Sequence, residues 1–428
     1  MTYKAPRGTR DILPDETWKW QRIEAVFRET AARFGYREIR FPVFEETELF
    51  ARGIGDATDI VRKEMYTFSD RKGRSLTLRP EGTASVVRSY LEHSMGRSAR
   101  LTKLSYFCPM FRYERPQAGR YRQFWQWGLE AIGSPSPTVD AEIIDFSVRY
   151  FAGLGIRETT AKLNSAGCPK CTPAYNDLLR EALAPRLDEF CGDCRERLDR
   201  NPRRVFDCKN ERCRAALDGA PSILDALCDE CREHFDEVRA LLSGMAIEYV
   251  VDPGLARGLD YYTKTIFEVH HAKLGAQGAL CGGGRYDGLV EELGGKATPA
   301  CGVSAGVERL VIALENEGLL ADGHPGPDVY LVSVGERAAA RSAALVSRLR
   351  ETLSVETDYQ GRSTKAQMRE AGRMGARYAL IIGDEELERG TAVLHDMRSG
   401  EEEDVAADGV AAALTERIGR GSRDRSAG

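Results

Sequence analysis

Two kinds of residue in this chain are grouped in ways that could do chemistry: arginines concentrated in glycine-punctuated, strand-flanked segments, and cysteines in four close pairs. The densest arginine segment is FRYERPQAGRYRQFWQWGLE, residues 111–130. Strand alternation puts Arg112 and Glu114 on one face. A turn through Pro116 and Gly119 follows, and the return strand carries Arg122, Phe124, Gln126, Gly128 and Glu130 on one face. Trp125, Trp127 and Leu129 then point into a core. A solvated face of ion pairs would explain the charges. Phe124 and Gly128 among them argue for a binding face, because a glycine within a strand marks close approach of a ligand or another backbone. No GxxxxGK[ST] loop occurs and no GxGxxG separates a strand from a helix, so phosphate would have to be held by side chains.

The cysteine pairs are Cys168/Cys171, Cys191/Cys194, Cys208/Cys213 and Cys228/Cys231, eight of the eleven cysteines. Three have zinc-knuckle spacing and one a longer gap. Eight thiolates suffice for two tetrahedral Cys₄ zinc sites with no open position for chemistry. Inert reduced thiols are the alternative, and spacing leaves the pairing among the knuckles open. Cys108, Cys281 and Cys301 sit in apolar or glycine-rich text and are expected to be buried. The six histidines show no partner pattern, so packing or surface roles are expected of them.

The elements that must position these groups read as several domains, as 428 residues require. Residues 17–34 have helical spacing of apolar residues, and 138–153 read as a second helix. Strands are expected at 75–79, 104–114 and 122–130, and Pro42 marks an edge or boundary strand. Strand-like text flanks residues 165–245 on both sides, the mark of an insertion into a domain. After the linker ADGHPGPD, strands alternate with helices, which predicts a small α/β domain with a largely parallel sheet. The composition, 42% hydrophobic and 30% charged, suits a globular protein, and the net charge of −5 gives no sign of nucleic-acid binding. The start has no apolar core and no apolar run approaches a membrane span, so no membrane association and a cytoplasmic location are expected.

Six strings carry a specific resemblance. Residues 111–130 resemble motif 2 of the class II aminoacyl-tRNA synthetases, ACGVSAGVERL (300–310) their motif 3, and the text around Pro42 their motif 1. RPEGTA (79–84), ARGLDYYT (256–263) and GGGRYDGL (282–289) are similar to peptides of the histidyl-tRNA synthetases within that class. The resemblance runs from residue 1 to about 420 and is loosest in 165–245.

The resemblance implies an α+β fold: an antiparallel sheet flanked by helices as the catalytic domain (1–323), interrupted by the Cys-rich insertion (165–245). A C-terminal α/β anticodon-binding domain (328–420) and a disordered tail (421–428) follow. It implies ATP-dependent ligation of L-histidine to tRNA(His) through a histidyl-adenylate, with Mg²⁺ on the outer phosphates and a homodimer formed through motif 1. Adenine would stack between Phe124 and Arg309, an arrangement lysine could not reproduce. Arg112 would hold the α-phosphate with Glu114 beside it, Arg120 the outer phosphates, and Arg257 the α-phosphate from the other side. Glu81, Thr83 and Gln126 would bind the α-amino group, and Glu130, Tyr262 and Tyr286, with neighbouring Tyr261, the imidazole. Arg115, Gln117 and Arg122 would meet tRNA near the active site, and Lys365, Arg369 and Arg373, a stripe on one helix face, would meet it at the anticodon end.

These roles suit the chemistry. The histidine carboxylate is already ionised, so activation needs positioning and charge stabilisation at the α-phosphorus, which arginines supply. A carboxylate with a phenol can meet both edges of an imidazole. Two other readings compete. GVSAG (302–306) matches the GxSxG of serine hydrolases, but no apolar strand precedes it. A non-catalytic histidyl-tRNA-synthetase-like regulatory or sensor protein would have the same fold with eroded motifs.

Overall fold

The computed structural model describes residues 3–55, 58–208, 210–271, 278–320, 326–407 and 409–425. The chain divides near residue 321 into two units, each with its own core. In the first, the helix Pro14–Arg33 starts on a proline with Asp15 and Glu16 in its first turn and ends on Arg33, charges that complement its dipole. Its buried face, Trp20, Ile23, Phe27 and Ala31, lies beside the helix Pro137–Gly153, capped by Ser136. Both back an eight-stranded sheet, where Trp127 packs its ring on Phe27, Phe146 and Tyr150 at 5.4, 6.0 and 5.0 Å.

The strands of this sheet run Arg37–Glu38, Thr102–Phe111, Gln123–Ile132, Ala300–Gly306, Ala279–Arg285, Thr263–His271, Thr159–Ser165 and Tyr249–Val251. Pairing is antiparallel through the middle and parallel only at the two outermost strands. The strand expected to reach residue 114 stops at Phe111, and its partner begins at Gln123, so Arg112, Glu114 and Arg122 sit on the connection instead of within strands. Pro42 falls between strands: Phe44–Glu46 leaves the main sheet to join Ser75–Leu78 and Tyr66–Ser69 in a three-stranded sheet. A proline cannot donate to a ladder, and the chain changes sheets there.

The insertion leaves from Thr159–Ser165 and returns at Tyr249–Val251, which pairs with that same strand (Ala161 opposite Tyr249). It has a core of its own, in which the cysteines pack with Tyr175, Leu179, Phe190, Leu198 and Val205.

In the second unit the sheet order is Val355–Thr357, Val329–Val334, Tyr378–Gly383, Thr391–Asp396, Glu402–Ala406. The first three strands are parallel and the last two antiparallel, so the sheet is mixed and not largely parallel. The unforeseen strand Glu402–Ala406 follows its neighbour after a short turn, a connection that permits only antiparallel pairing. The last helix, Val410–Arg425, continues into the stretch whose composition predicts disorder; residues 426–428 of that stretch lie outside those described.

One buried charge cluster joins three segments of the first unit. Asp140, on the helix Pro137–Gly153, and Arg285, at the end of Ala279–Arg285, are completely buried and form an ion pair. Arg285 Nη1 and Nη2 also donate to the carbonyls of Ser134 and Ser136 at 2.8 and 3.0 Å. His234, on the helix Asp229–Gly244 that closes the insertion, meets Asp140 at 3.3 Å. The charge of Arg285 and the hydrogen bonds hold Asp140 below the usual carboxylate range despite burial. Arg285→Met would strand that carboxylate. Chemical denaturation should show a loss of about 3–5 kcal/mol, and an unchanged midpoint would contradict the role given to the pair.

Candidate active site

A cleft of about 400 Å³ opens over the middle of the eight-stranded sheet, with Glu81, Arg112, Arg120, Phe124, Arg257 and Arg309 in its wall. Glu114, Gln126 and Tyr261 line it too. Residues as far apart in the chain as Glu81 and Arg309 thus share one wall. Thr83, Glu130 and Tyr286 are buried with the floor of the same region and do not line the opening. Tyr262 faces a smaller cavity next to it, shared with Arg257 and Asp260.

Beneath the cleft, Glu130 is 1% exposed and accepts hydrogen bonds from Thr83 Oγ1, at 2.7 Å, and from the Tyr286 hydroxyl. Burial pushes its pKa up to about 8; the two hydroxyl donors pull it down and nearby Glu81 pushes it up further. Tyr261 packs tilted against Tyr262 and edge-on to Tyr286, with centroids 4.8 and 5.6 Å apart. Glu81 accepts from the N–H groups of Thr83 and Ala84 at 2.7 and 2.8 Å, which caps the start of the helix Thr83–Glu92. Burial raises its pKa against those donors. The buried Oε1 of Gln126 has no hydrogen-bond partner among the described residues, an acceptor suited to a ligand's N–H.

The arginines are held in different ways. Arg112 donates from Nε to the Pro80 carbonyl at 2.8 Å and lies 5.5 Å from the Phe124 ring centroid. Arg120 pairs with Glu114 at 3.3 Å. Arg309 lies under the turn at Gly119, and burial lowers its pKa. Arg257 pairs with Glu268 at 2.6 Å. Burial opposes its charge, and Tyr262 and Glu268 more than offset that. A Cβ at Gly282 would come within 2.2 Å of Arg257 Nη1, and one at Gly302 within 2.0 Å of Glu130 Oε2, so both glycines are seats for side chains. Gly128 is a third: the Tyr106 ring covers it, in place of the ligand or backbone expected there.

Three functional neighbours had escaped the sequence reading. Glu268 holds Arg257 and also meets His270 at 2.8 Å. Glu308 receives the Trp125 N–H at 2.9 Å, and burial pushes its pKa up to about 7. The third is the Asp140–Arg285–His234 cluster. The only available signal was position: Glu308 adjoins Arg309, and Arg285 adjoins Tyr286. Of the residues expected to meet tRNA, Arg115 and Gln117 are exposed. Arg122 is engaged otherwise: its guanidinium lies 3.8 Å from the Tyr113 ring centroid and Nε donates to the Glu114 carbonyl. In the second unit Lys365 and Arg369 are exposed on the helix Thr364–Arg373, and Arg373 pairs with Glu370.

The eight cysteines form two nested groups, Cys168/Cys171/Cys228/Cys231 and Cys191/Cys194/Cys208/Cys213, each with its sulfurs within 4.8 Å of one another. All eleven cysteines are free. Sulfur separations of 3.6, 3.8 and 4.0 Å fit the edges of a tetrahedron around a metal with Zn–S about 2.3 Å. Backbone N–H groups of Cys191 and Cys228 point at Cys213 and Cys171 sulfurs at 3.2 Å. Cys281 and Cys301 are buried as expected, and Cys108 is half-buried. His324 lies outside the described residues. Ser304 sits within a central strand, paired with Gly128 on one side and Gly282 on the other, and the helix Val307–Asn316 begins only after Gly306, so Ser304 is not on the turn between strand and helix and the hydrolase reading fails. Among the described residues no helix is long and apolar enough to cross a membrane.

Comparison with known proteins agrees with this geometry. Residues 8–310 match the family model described as histidyl-tRNA synthetase, and residues 328–417 match an anticodon binding domain. The histidine–tRNA ligase of Halothermothrix orenii is 52% identical, with 95% of this chain and 97% of that protein aligned. That of Geobacillus thermodenitrificans is 50% identical, over 98% of this chain and all of the relative. The crystal structure of apo S. aureus histidyl-tRNA synthetase superposes with a TM-score of 0.82 at 40% identity, covering 97% of this chain and 100% of that one. An ATP phosphoribosyltransferase regulatory subunit/histidyl-tRNA synthetase from Bacillus halodurans has a TM-score of 0.65 at 22% identity, a likeness of fold alone; it covers 90% of this chain and 98% of that one.

The raised pKa of Glu130 gives a signed expectation. Its carboxyl ionises near pH 4.5 in the unfolded chain and near 8 when folded, so the folded state holds an extra proton between those values. Its contribution to stability is complete below the lower value and is lost as pH rises to the upper one. Glu130→Gln should therefore gain stability relative to the parent between pH 5 and 8, with no further change above, in thermal unfolding without ligands. A pH-independent offset would contradict the shift.

Proposed function

The chain belongs to the histidyl-tRNA synthetase family, and we propose how its residues divide the work of that enzyme. Its activity is that of a histidine–tRNA ligase: histidine and ATP form histidyl-adenylate and diphosphate, and the adenylate then passes histidine to tRNA(His), releasing AMP. The regulatory-protein reading is not favoured, since the arginine set and an anticodon-binding unit are both present.

The observation that carries the assignment of roles is the polar floor under the arginine-lined cleft. The Gln126 oxygen without a partner and the Glu81 carboxylate receive the α-ammonium, with Thr83 beside them. Glu130 and Tyr286 read the imidazole, with Tyr261 and Tyr262 packed around it. A buried carboxyl poised near neutrality can give a proton to one edge of the ring or accept one. The site excludes amino acids that would leave Glu130 unpaired, by the cost of a buried polar group without a partner.

Adenine stacks on Phe124 against Arg309. Arg112, fixed through Nε by Pro80, turns its remaining donors to the α-phosphate, and Arg120 with Mg²⁺ meets the outer phosphates. Glu114 orients Arg120. Arg257, held by Glu268, faces the α-phosphorus opposite Arg112 and stabilises the charge that grows as the histidine carboxylate attacks. The exposed Arg115 and Gln117 approach the tRNA end, with Arg122 fixing the base of their loop. Lys365, Arg369 and Arg373 attract the tRNA backbone at the anticodon-binding unit. The nested cysteine groups hold two structural zinc ions. The enzyme works as a homodimer in the cytoplasm, where its tRNA is used.

Arg257→His tests the division of labour. Its turnover in histidine-dependent pyrophosphate exchange should fall by roughly a hundredfold or more, while the Michaelis constants for histidine and ATP change far less. Turnover near the parent value would remove Arg257 from the reaction.

A further inference from the structure

The segment between Leu255 and Tyr262, which carries both Arg257 and Tyr262, forms no strand and borrows its position from neighbours. Asn164 Nδ2 donates to the Pro253 and Leu255 carbonyls at 3.1 and 3.0 Å, which fixes its beginning. Its middle is held from the insertion. Arg204 donates from Nη2 to the Gly258 carbonyl at 3.0 Å, and from Nε and Nη2 to Asp260 Oδ1 at 3.2 Å. Asn201 meets the same oxygen at 3.3 Å. The Arg204 side chain is only 9% exposed, so this ion pair is shielded more than a surface one.

Arg204 lies in the short 3₁₀ segment Pro202–Asp207, between the two knuckles of the inner cysteine group. The helix Gly192–Arg200, which contains Cys194, leads into it, and Cys208 ends it. Arg214, one residue past Cys213, donates to the Cys208 carbonyl at 3.2 Å. Short segments of this kind have little stability of their own, so what fixes both ends of 195–207 fixes Arg204. Leu198 and Val205 pack into the insertion's core, and a metal gathering the four sulfurs would tie down both ends of the stretch.

We propose that Arg204 is a positioning residue for Arg257 and Tyr262, and that zinc in the inner cysteine group holds it there. Metal loading of the insertion thereby sets the rate of histidine activation. The inference rests on the roles given above to Arg257 and to the cysteine groups.

The test uses the full chain: the parent, Arg204→Ala, Arg204→Lys, and Cys208→Ser combined with Cys213→Ser. Zinc content, thermal unfolding and the kinetics of pyrophosphate exchange are measured for each. The parent should carry two zinc, one per cysteine group. Arg204→Ala should keep both and stay cooperatively folded at the assay temperature, with a somewhat lower unfolding midpoint. Its turnover should drop on the order of ten- to a hundredfold, as misplacement of a reacting group does, with a raised Michaelis constant for histidine. That for ATP should stay within about twofold. Arg204→Lys, which keeps the charge but not the fork, should recover part of the rate. The double cysteine variant should keep the outer zinc, lose the inner one and share the kinetic defect, and adding Arg204→Ala should cost little more. Parent kinetics in Arg204→Ala would overturn the positioning role, whatever the metal content. Parent kinetics in a cysteine variant that has lost one zinc, or a fully active parent without zinc, would overturn the metal half. Failure of the Arg257 role itself would show separately, as normal turnover in Arg257→His.

Discussion

The site depends on a charge pair that never meets solvent. Arg285 and Asp140 lie between the sheet and the helix Pro137–Gly153, and each is costly to bury without the other. Satisfying the guanidinium takes the Ser134 and Ser136 carbonyls as well, so the loop before the helix, the end of a central strand and the closing helix of the insertion are drawn to one point. Tyr286 is the next residue after Arg285, and its hydroxyl is what Glu130 accepts. The Glu130–Tyr286 pair, to which we assign the reading of the imidazole, is therefore placed by an ion pair outside the cleft. A hydrophobic substitute could fill the volume, but it would not dictate which carbonyls the strand end must face.

Burial acts on the same region in two opposite ways. Around Asp140, opposite charge and hydrogen bonds keep the carboxylate ionised. At Glu130 the hydrogen-bond donors among the described residues are neutral hydroxyls, and loss of water wins, so the carboxyl is pushed up to about 8 and is mostly protonated at neutral pH. Two acids about ten residues apart in sequence are thus shifted in opposite directions by their neighbours alone. The glycines follow from this economy of space: Gly302 leaves room for Glu130, its partner on the neighbouring strand, and Gly282 leaves room for Arg257.

Much of this was legible beforehand. Alternation in 122–130 sent Trp127 and Leu129 to the core, with Trp125 only partly buried against it, and the motifs contain Glu81, Arg112, Arg120, Phe124, Gln126, Arg257 and Arg309, which line the cleft. What was not legible depends on contacts distant in the chain. Asp140 and Arg285 are 145 residues apart, and nothing local announces that they meet. Spacing identified four knuckles but not their nesting, which the path of the insertion decides. The C-terminal sheet misled because its alternation of strands and helices ends in a hairpin at residues 397–401, too short to cross over. Arg122 reads as a free cation in sequence, yet in the fold it lies on Tyr113 and holds its own loop.

The central claim is that Glu130, poised between its two protonation states, is what makes the cleft a histidine site. Pyrophosphate exchange by Glu130→Gln, with folding confirmed by thermal unfolding, tests it directly. The amide cannot change its proton, so kcat/KM for histidine should fall by roughly a hundredfold or more while the Michaelis constant for ATP is retained. Exchange at the parent's efficiency would contradict the account and assign imidazole recognition to other groups.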